Sequence, residues 1–92
     1  TGPILLQRKA AVGPNDTAGS LYYDTLFPLG VTAVLDAVDL AGTPNPPREV
    51  QDESQATYDP LCRDEHAAID WQRPIAEVFN QMRGCDPQPG AY

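Results

Sequence analysis

The sequence predicts an α/β fold of few elements: an opening strand, a two-sided helical stretch, an irregular β segment and a C-terminal helix. Three observations carry this. Ile4-Leu5-Leu6 and Ala10-Ala11-Val12 flank Gln7-Arg8-Lys9, the pattern of a strand buried at its start and more solvated further on. Residues 17–41 carry apolar residues at helical spacing on two opposite sides. Ile75, Val78, Phe79 and Met82 recur at i, i+3, i+4 and i+7, the stripe of a short amphipathic helix.

Taken in order, Gly13-Pro14-Asn15-Asp16 ends the first strand, and Asp16 or Thr17 offers a side-chain oxygen to the free N–H groups of a helix's first turn. At about 100° per residue, Leu21, Tyr22, Thr25, Leu26 and Leu29 gather on one side of that helix. Val31, Val34, Leu35 and Val38 gather roughly opposite. A straight surface helix cannot bury both faces. Pro28 lacks a backbone donor and crowds the preceding turn, so the stretch is expected to form two pieces, about Thr17 to Phe27 and Leu29 to Ala41, joined by a kink.

Gly42-Thr43-Pro44-Asn45-Pro46-Pro47 is an extended connection. Glu49 to Tyr58 read as short edge strands with a turn near Asp52-Glu53-Ser54, and Asp59-Pro60 is a further turn. Asp64 to Ala68 fits either a helical turn or an approach to Ile69-Asp70-Trp71. Asp70 or Gln72 starts the last helix ahead of Pro74, which is tolerated in a first turn. Gly84 and Asp86-Pro87-Gln88-Pro89-Gly90 stop it.

Ninety-two residues make one domain at most, with little core and ten prolines to limit regular structure. A strand starting near residue 3 needs partners that so short a chain hardly supplies, so a piece of a larger fold is expected. Thirteen acids against six bases give a net charge of −7, which opposes nucleic acid or an anionic membrane as partner. There is no apolar run of about 18 residues and no signal-peptide pattern, so a cytoplasmic protein is expected. Cys62 and Cys85 belong to no CxxC pair and are read as reduced thiols, one of them buried; a single disulfide is the other reading.

No catalytic constellation is complete. His66 is the sole histidine, and its neighbours Asp64 and Glu65 lack a second ligand cluster, so it reads as a surface residue and no metal site is expected. Ser20 and Ser54 lie outside any nucleophile elbow, and no glycine pattern cradles phosphate. Asp52 and Glu53 solvate a turn. Trp71 reads as an anchor packing the last helix onto the preceding layer, with ligand stacking as the alternative.

Several strings in combination resemble a family. These are Thr1-Gly2-Pro3-Ile4-Leu5-Leu6-Gln7, Asp16-Thr17-Ala18-Gly19-Ser20-Leu21-Tyr22, Gln51-Asp52-Glu53-Ser54 with Ala56-Thr57-Tyr58, Ile69-Asp70-Trp71, and Asn80-Gln81-Met82-Arg83-Gly84 through Pro89-Gly90-Ala91-Tyr92. In this order they resemble the later part of the formyltransferase catalytic domain, a family that includes methionyl-tRNA formyltransferases and the hydrolase domain of 10-formyltetrahydrofolate dehydrogenases. The resemblance implies the C-terminal part of a Rossmann-like domain over residues 1–71. Residues 72–92 would be a linker helix toward a barrel domain lying further on.

It also implies 10-formyltetrahydrofolate as cosubstrate and an amine, possibly methionyl-tRNA, or water as formyl acceptor. The family's catalytic Asn, His and Asp have no counterpart here, the Asp falling just before Thr1, so the chain is expected to be inactive alone. His66 does not match the family histidine. Only Thr1 and Gly2 correspond to the active-site loop, where they would shape the floor beneath the folate. The competing expectation is a non-catalytic module that self-associates, or binds a missing half, through exposed apolar faces.

Overall fold

Thr17 opens the dominant element of the computed structural model, which describes residues 2–92. Its Oγ1 accepts from the Ser20 amide at 3.1 Å, and its own amide donates to Ser20 Oγ at 3.0 Å, a reciprocal capping box. Asp16 Oδ1 accepts from the same Ser20 hydroxyl at 3.1 Å. Helix α1 (Ala18–Ser20) passes into a π-helical stretch (Leu21–Leu26) and then into α2 (Phe27–Ala41).

The expected kink between two pieces at Phe27–Gly30 is not what forms. Leu26 and Phe27 keep right-handed helical angles, and the Phe27 amide donates to the Tyr22 carbonyl, one residue further back than in an α-helix. Proline needs relief from the carbonyl four residues before it, and the wider π turn supplies that relief. The disturbance is therefore a change of register just upstream of Pro28, which sits in the first turn of α2. The helix ends at Gly42, whose amide donates to the Val38 carbonyl at 3.2 Å.

The α/β expectation holds less well than the helical one. Among the described residues the only β pairing is one antiparallel bridge: the Ile4 amide donates to the Glu49 carbonyl at 2.7 Å and the Glu49 amide returns to Ile4 at 2.9 Å. The strand expected over residues 4–12 and the edge strands expected over 49–58 are absent as such. Apolar runs of this kind become a strand only beside another strand, and residues 5–12 meet none among the described residues. In the second region Asp52 caps a single 3₁₀ turn (Glu53–Gln55).

The C-terminal third makes the chain's small core. It holds α3 (Asp64–Ala67) and α4 (Ile75–Gly84), the latter where the apolar spacing predicts it. Ala67, Val78 and Cys85 are 0%, 4% and 4% exposed, and they are the buried apolar residues of the described chain. Backbone bonds tie this hub together: Ile69 N–H to the Tyr92 carbonyl (2.7 Å), Tyr92 N–H to Ala67 (3.0 Å) and Gly90 N–H to Cys85 (2.9 Å). Gly90 makes the last bond at φ +87°, a left-handed angle that glycine alone adopts without strain.

Two sequence expectations fail in this region. Of the α4 stripe only Val78 is buried; Ile75 is 82% exposed, and Phe79 and Met82 are exposed as well. Trp71 is 73% exposed, so it does not anchor the helix. It lies in a turn of its own, in which Asp70 Oδ1 accepts from Gln72 N–H at 3.0 Å and the Asp70 carbonyl from Arg73 N–H at 3.1 Å. The helix begins only at Ile75, so this turn separates the indole from the layer it was expected to cover.

The long helix contains no buried residue. Phe27, Val31, Val34, Leu35 and Val38 form an exposed stripe down one side of α2. The radius of gyration is 17.3 Å, against about 12 Å for a compact chain of this length. The accessible surface is 7505 Å², against about 5,200 Å² for a compact protein of this mass.

Candidate functional site

Of the two residues expected at a ligand, Thr1 lies outside the described residues. Gly2 is exposed, and its carbonyl accepts from Gln51 Nε2 at 2.6 Å. That bond and the Ile4–Glu49 bridge hold the start of the chain against the irregular segment. Next to them opens a cavity of about 610 Å³ whose lining includes Gln7, Glu49, Gln51, Asp52, Gln55 and Thr57.

Asp52 is fully engaged as an acceptor there. Its Oδ1 takes the Ser54 hydroxyl at 2.6 Å and the Ser54 amide at 3.0 Å, and its Oδ2 takes Gln55 Nε2 at 3.0 Å. The Ser54 hydroxyl, then the Ser54 amide, then Gln55 hold this carboxyl below the usual carboxylate range. A carboxylate so held is a turn cap, not a proton donor. Glu49 and Glu53 line the same cavity, so among the described residues its lining offers carboxylates and amides but no cationic side chain. It does not by itself fit an anionic folate.

The more organised junction lies where α1 meets the end of α4. Arg83 Nη1 donates to the carbonyls of Asp16 at 2.6 Å and Gly13 at 3.2 Å, and Nη2 donates to Asn80 Oδ1 at 2.8 Å. Its guanidinium carbon stands 5.3 Å from the Phe79 ring centroid. The Asp16 carboxylate turns back on its own loop, with Oδ2 accepting from Gly13 N–H at 2.6 Å. Asp16, Asn80 and Arg83, with Val12, Thr17 and Leu21, line a cavity of about 270 Å³.

Gly19 completes the junction. Its amide donates to the Asp86 carbonyl at 2.9 Å, and a Cβ there would stand 2.8 Å from Pro87 Cδ. Arg83 and Gly19 were not singled out by chemistry in the sequence. Their signal is positional: both sit in the family-like strings, one at the last turn of the C-terminal helix and one in the first turn of the long one.

His66 lies away from both cavities' lining. It is exposed, and its Nδ1 accepts from the Arg63 amide at 3.0 Å, which spends one ring nitrogen on the start of α3. Among the described residues no group of three or more His, Cys, Asp or Glu side chains is placed to hold a metal. No helix of the described chain is long and apolar enough to cross a membrane.

With these arrangements in view, similarity to known proteins decides the family. The family model for the formyl transferase C-terminal domain matches residues 62–92. A mitochondrial 10-formyltetrahydrofolate dehydrogenase of Mus musculus is 46% identical over 92 residues, all of this chain and 10% of its own length. The chain is a stretch of formyltransferase-family sequence. A cytosolic 10-formyltetrahydrofolate dehydrogenase of Xenopus laevis is 45% identical over the same span, again 10% of its length. A methionyl-tRNA formyltransferase of Moorella thermoacetica is 37% identical over 91 residues, 99% of this chain and 29% of that enzyme. The formyltransferase-family chain thus spans about a tenth of the dehydrogenases it resembles. The resemblance read from five separated strings extends over essentially its whole length.

Proposed function

We propose that this chain is the structural, non-catalytic stretch of a folate-dependent formyltransferase module. The full module passes the formyl group of 10-formyltetrahydrofolate to an amine or to water. What supports this is similarity, along essentially the whole of this chain, to proteins named for 10-formyltetrahydrofolate and for formyl transfer to methionyl-tRNA, in a chain whose one imidazole is exposed and serves a helix start. Catalytic Asn, His and Asp groups would come from family sequence preceding residue 1. Thr1 and Gly2 would contribute backbone beneath the folate. The higher identity to the dehydrogenases than to the tRNA enzyme favours water as acceptor. In this reading residues 1–71 belong to the later catalytic domain and residues 72–92 lead into the C-terminal domain, whose family model reaches back to residue 62. A cytoplasmic location accords with the cytosolic relatives, and fractionation against the mitochondrial alternative tests it.

The test is turnover of 10-formyltetrahydrofolate by the 92-residue chain alone and by the chain extended upstream along its own reading frame. The expected result is formyl release only from the extended protein. Release by the chain alone would overturn the assignment of a supporting role.

One observation favours a second reading, a module that self-associates. The surplus of exposed surface is on the order of 2,000 Å², the size an obligate interface buries, and the α2 stripe is its apolar centre. Sedimentation decides it: a discrete oligomer that Val34→Asp dissociates supports association, and a monomer at all concentrations removes it.

A further inference from the structure

The two cysteines, unremarkable by spacing, meet in space. Cys62 sits just before α3 and Cys85 caps the C-terminus of α4, 23 positions away, yet their sulfurs are 3.9 Å apart. Both are free thiols; Cys62 is exposed and Cys85 buried. Cys85 Sγ also lies 3.9 Å from the His66 carbonyl, so the pair sits at the seam between α3 and α4. The chain leading into Cys62 has no regular structure from residue 56 to 63 and can shift the short way needed to bring the sulfurs to bonding distance, about 2.05 Å.

We infer that Cys62 and Cys85 form a reversible intramolecular disulfide, Cys62 being the thiol that meets a hydroperoxide and Cys85 the one that resolves it. The Cys62 thiolate attacks a peroxide oxygen, the O–O bond breaks, and the departing hydroxide takes up a proton as water, leaving a sulfenic acid on Cys62. The Cys85 sulfur then attacks Cys62 Sγ and gives up its proton. The S–S bond forms, the S–O bond breaks, and the hydroxyl leaves as the second water. Two thiols lose two electrons in total, and one hydrogen peroxide gains them. A thiol reductant reverses the reaction by exchange.

The division of labour follows from the surroundings. Burial first, then the Cys62 sulfur alongside, pushes the Cys85 thiol up, so it is a poor first nucleophile and survives until a sulfenic sulfur is presented to it. The bond would staple α3 to the end of α4, where Gln81 Nε2 already reaches the His66 and Ala68 carbonyls at 2.9 Å.

The experiment is treatment of the whole chain with stoichiometric hydrogen peroxide, followed by intact mass and a non-reducing peptide map. The expected product is a monomer lighter by two hydrogens, with one peptide pair joined through Cys62 and Cys85, and a thermal midpoint raised by about 5 °C or more. Dithiothreitol should restore both mass and midpoint. In Cys85→Ala the same treatment should leave a sulfenic acid on Cys62 that dimedone traps. A disulfide-linked dimer as main product would overturn the inference, and so would sulfinic acid on Cys62 with Cys85 still titrating as a free thiol.

Discussion

The long helix and the C-terminal hub solve opposite halves of the folding problem. From Thr17 to Ala41 the backbone is almost fully satisfied within one element, capped at the start and adjusted at Pro28, yet no side chain of it is buried. The hub has only two short helices, but it contains the three buried apolar residues of the described chain and is closed by backbone bonds between residues far apart in sequence. Hydrogen bonding along a helix does not need a core, but stability does, because an exposed apolar stripe gains nothing from folding. The long helix is thus an element shaped to be covered by something else. The hub is the part of the chain that covers itself.

The sharpest way to break this contrast is to put the same charge in both regions. Val78→Asp buries an unpaired carboxylate in the hub and should cost about 3 kcal/mol. Val34→Asp, on the exposed stripe, should stay within about 0.5 kcal/mol in the isolated chain. Urea denaturation of both variants measures the difference. Equal losses would show that the helix has a partner face in solution, as a self-associating chain would.

The junction between the two regions is the next place to press. Gly19→Ala forces a methyl against the Pro87 ring, which is not the free end of a flexible side chain, and should cost about 2 kcal/mol. The Arg83→Met change removes three charge-assisted bonds while keeping some of the stem's packing, and should cost a similar amount, about 2 kcal/mol. Amide hydrogen exchange separates the two possible consequences. Loss of protection at Gly19 with the Ile69 and Tyr92 amides unchanged would show that the hub stands without the helix.

How much of this was legible in the sequence depended on how local the cause was. The α4 helix was readable because its apolar spacing and its stop at Gly84 lie within a dozen positions, and Thr17 was readable as a cap for the same reason. Pro28 was read as a break because proline's clash is local knowledge, whereas its remedy, a π turn over Leu21–Leu26, depends on how the preceding residues share their carbonyls. The first strand failed because Ile4-Leu5-Leu6 states only a willingness to pair. Trp71 failed because burial of an aromatic depends on what stands opposite it. At the site, the resemblance supplied an expectation for Thr1 and Gly2, whereas Arg83 became visible only when the loop at Gly13–Asp16 folded against it.

A smaller effect tests whether the long helix is self-sufficient at its start. Thr17→Ala removes the capping oxygen from Ser20 N–H and should cost about 1 kcal/mol. Thr17→Ser should restore most of it, since the hydroxyl is what the amide needs. If the alanine change costs nothing, Asp16 has taken over the cap through Ser20, and Asp16→Ala in the same background would then show the loss.

The smallest effect concerns the ion pair that, among the described residues, joins the opening segment to the long helix. Arg8 Nη2 lies 2.8 Å from Asp36 Oδ2, with both side chains more than two-fifths exposed. Such a pair is screened by salt and competes with the hydration of both exposed groups, so Asp36→Asn should change stability by no more than about 0.5 kcal/mol. Its value lies in what a larger number would mean. Residues 5–12 have no strand partner among the described residues, and Arg8–Asp36 is a side-chain bond that lays them along α2. A loss of about 2 kcal/mol, persisting in high salt, would mean that the segment is packed onto the half-buried side of α2 formed by Leu29, Ala33 and Leu40, as part of a layer and not as a loose strap. Near-neutrality would leave the Ile4–Glu49 bridge and the Gln51–Gly2 bond as the holds on the start of the described chain.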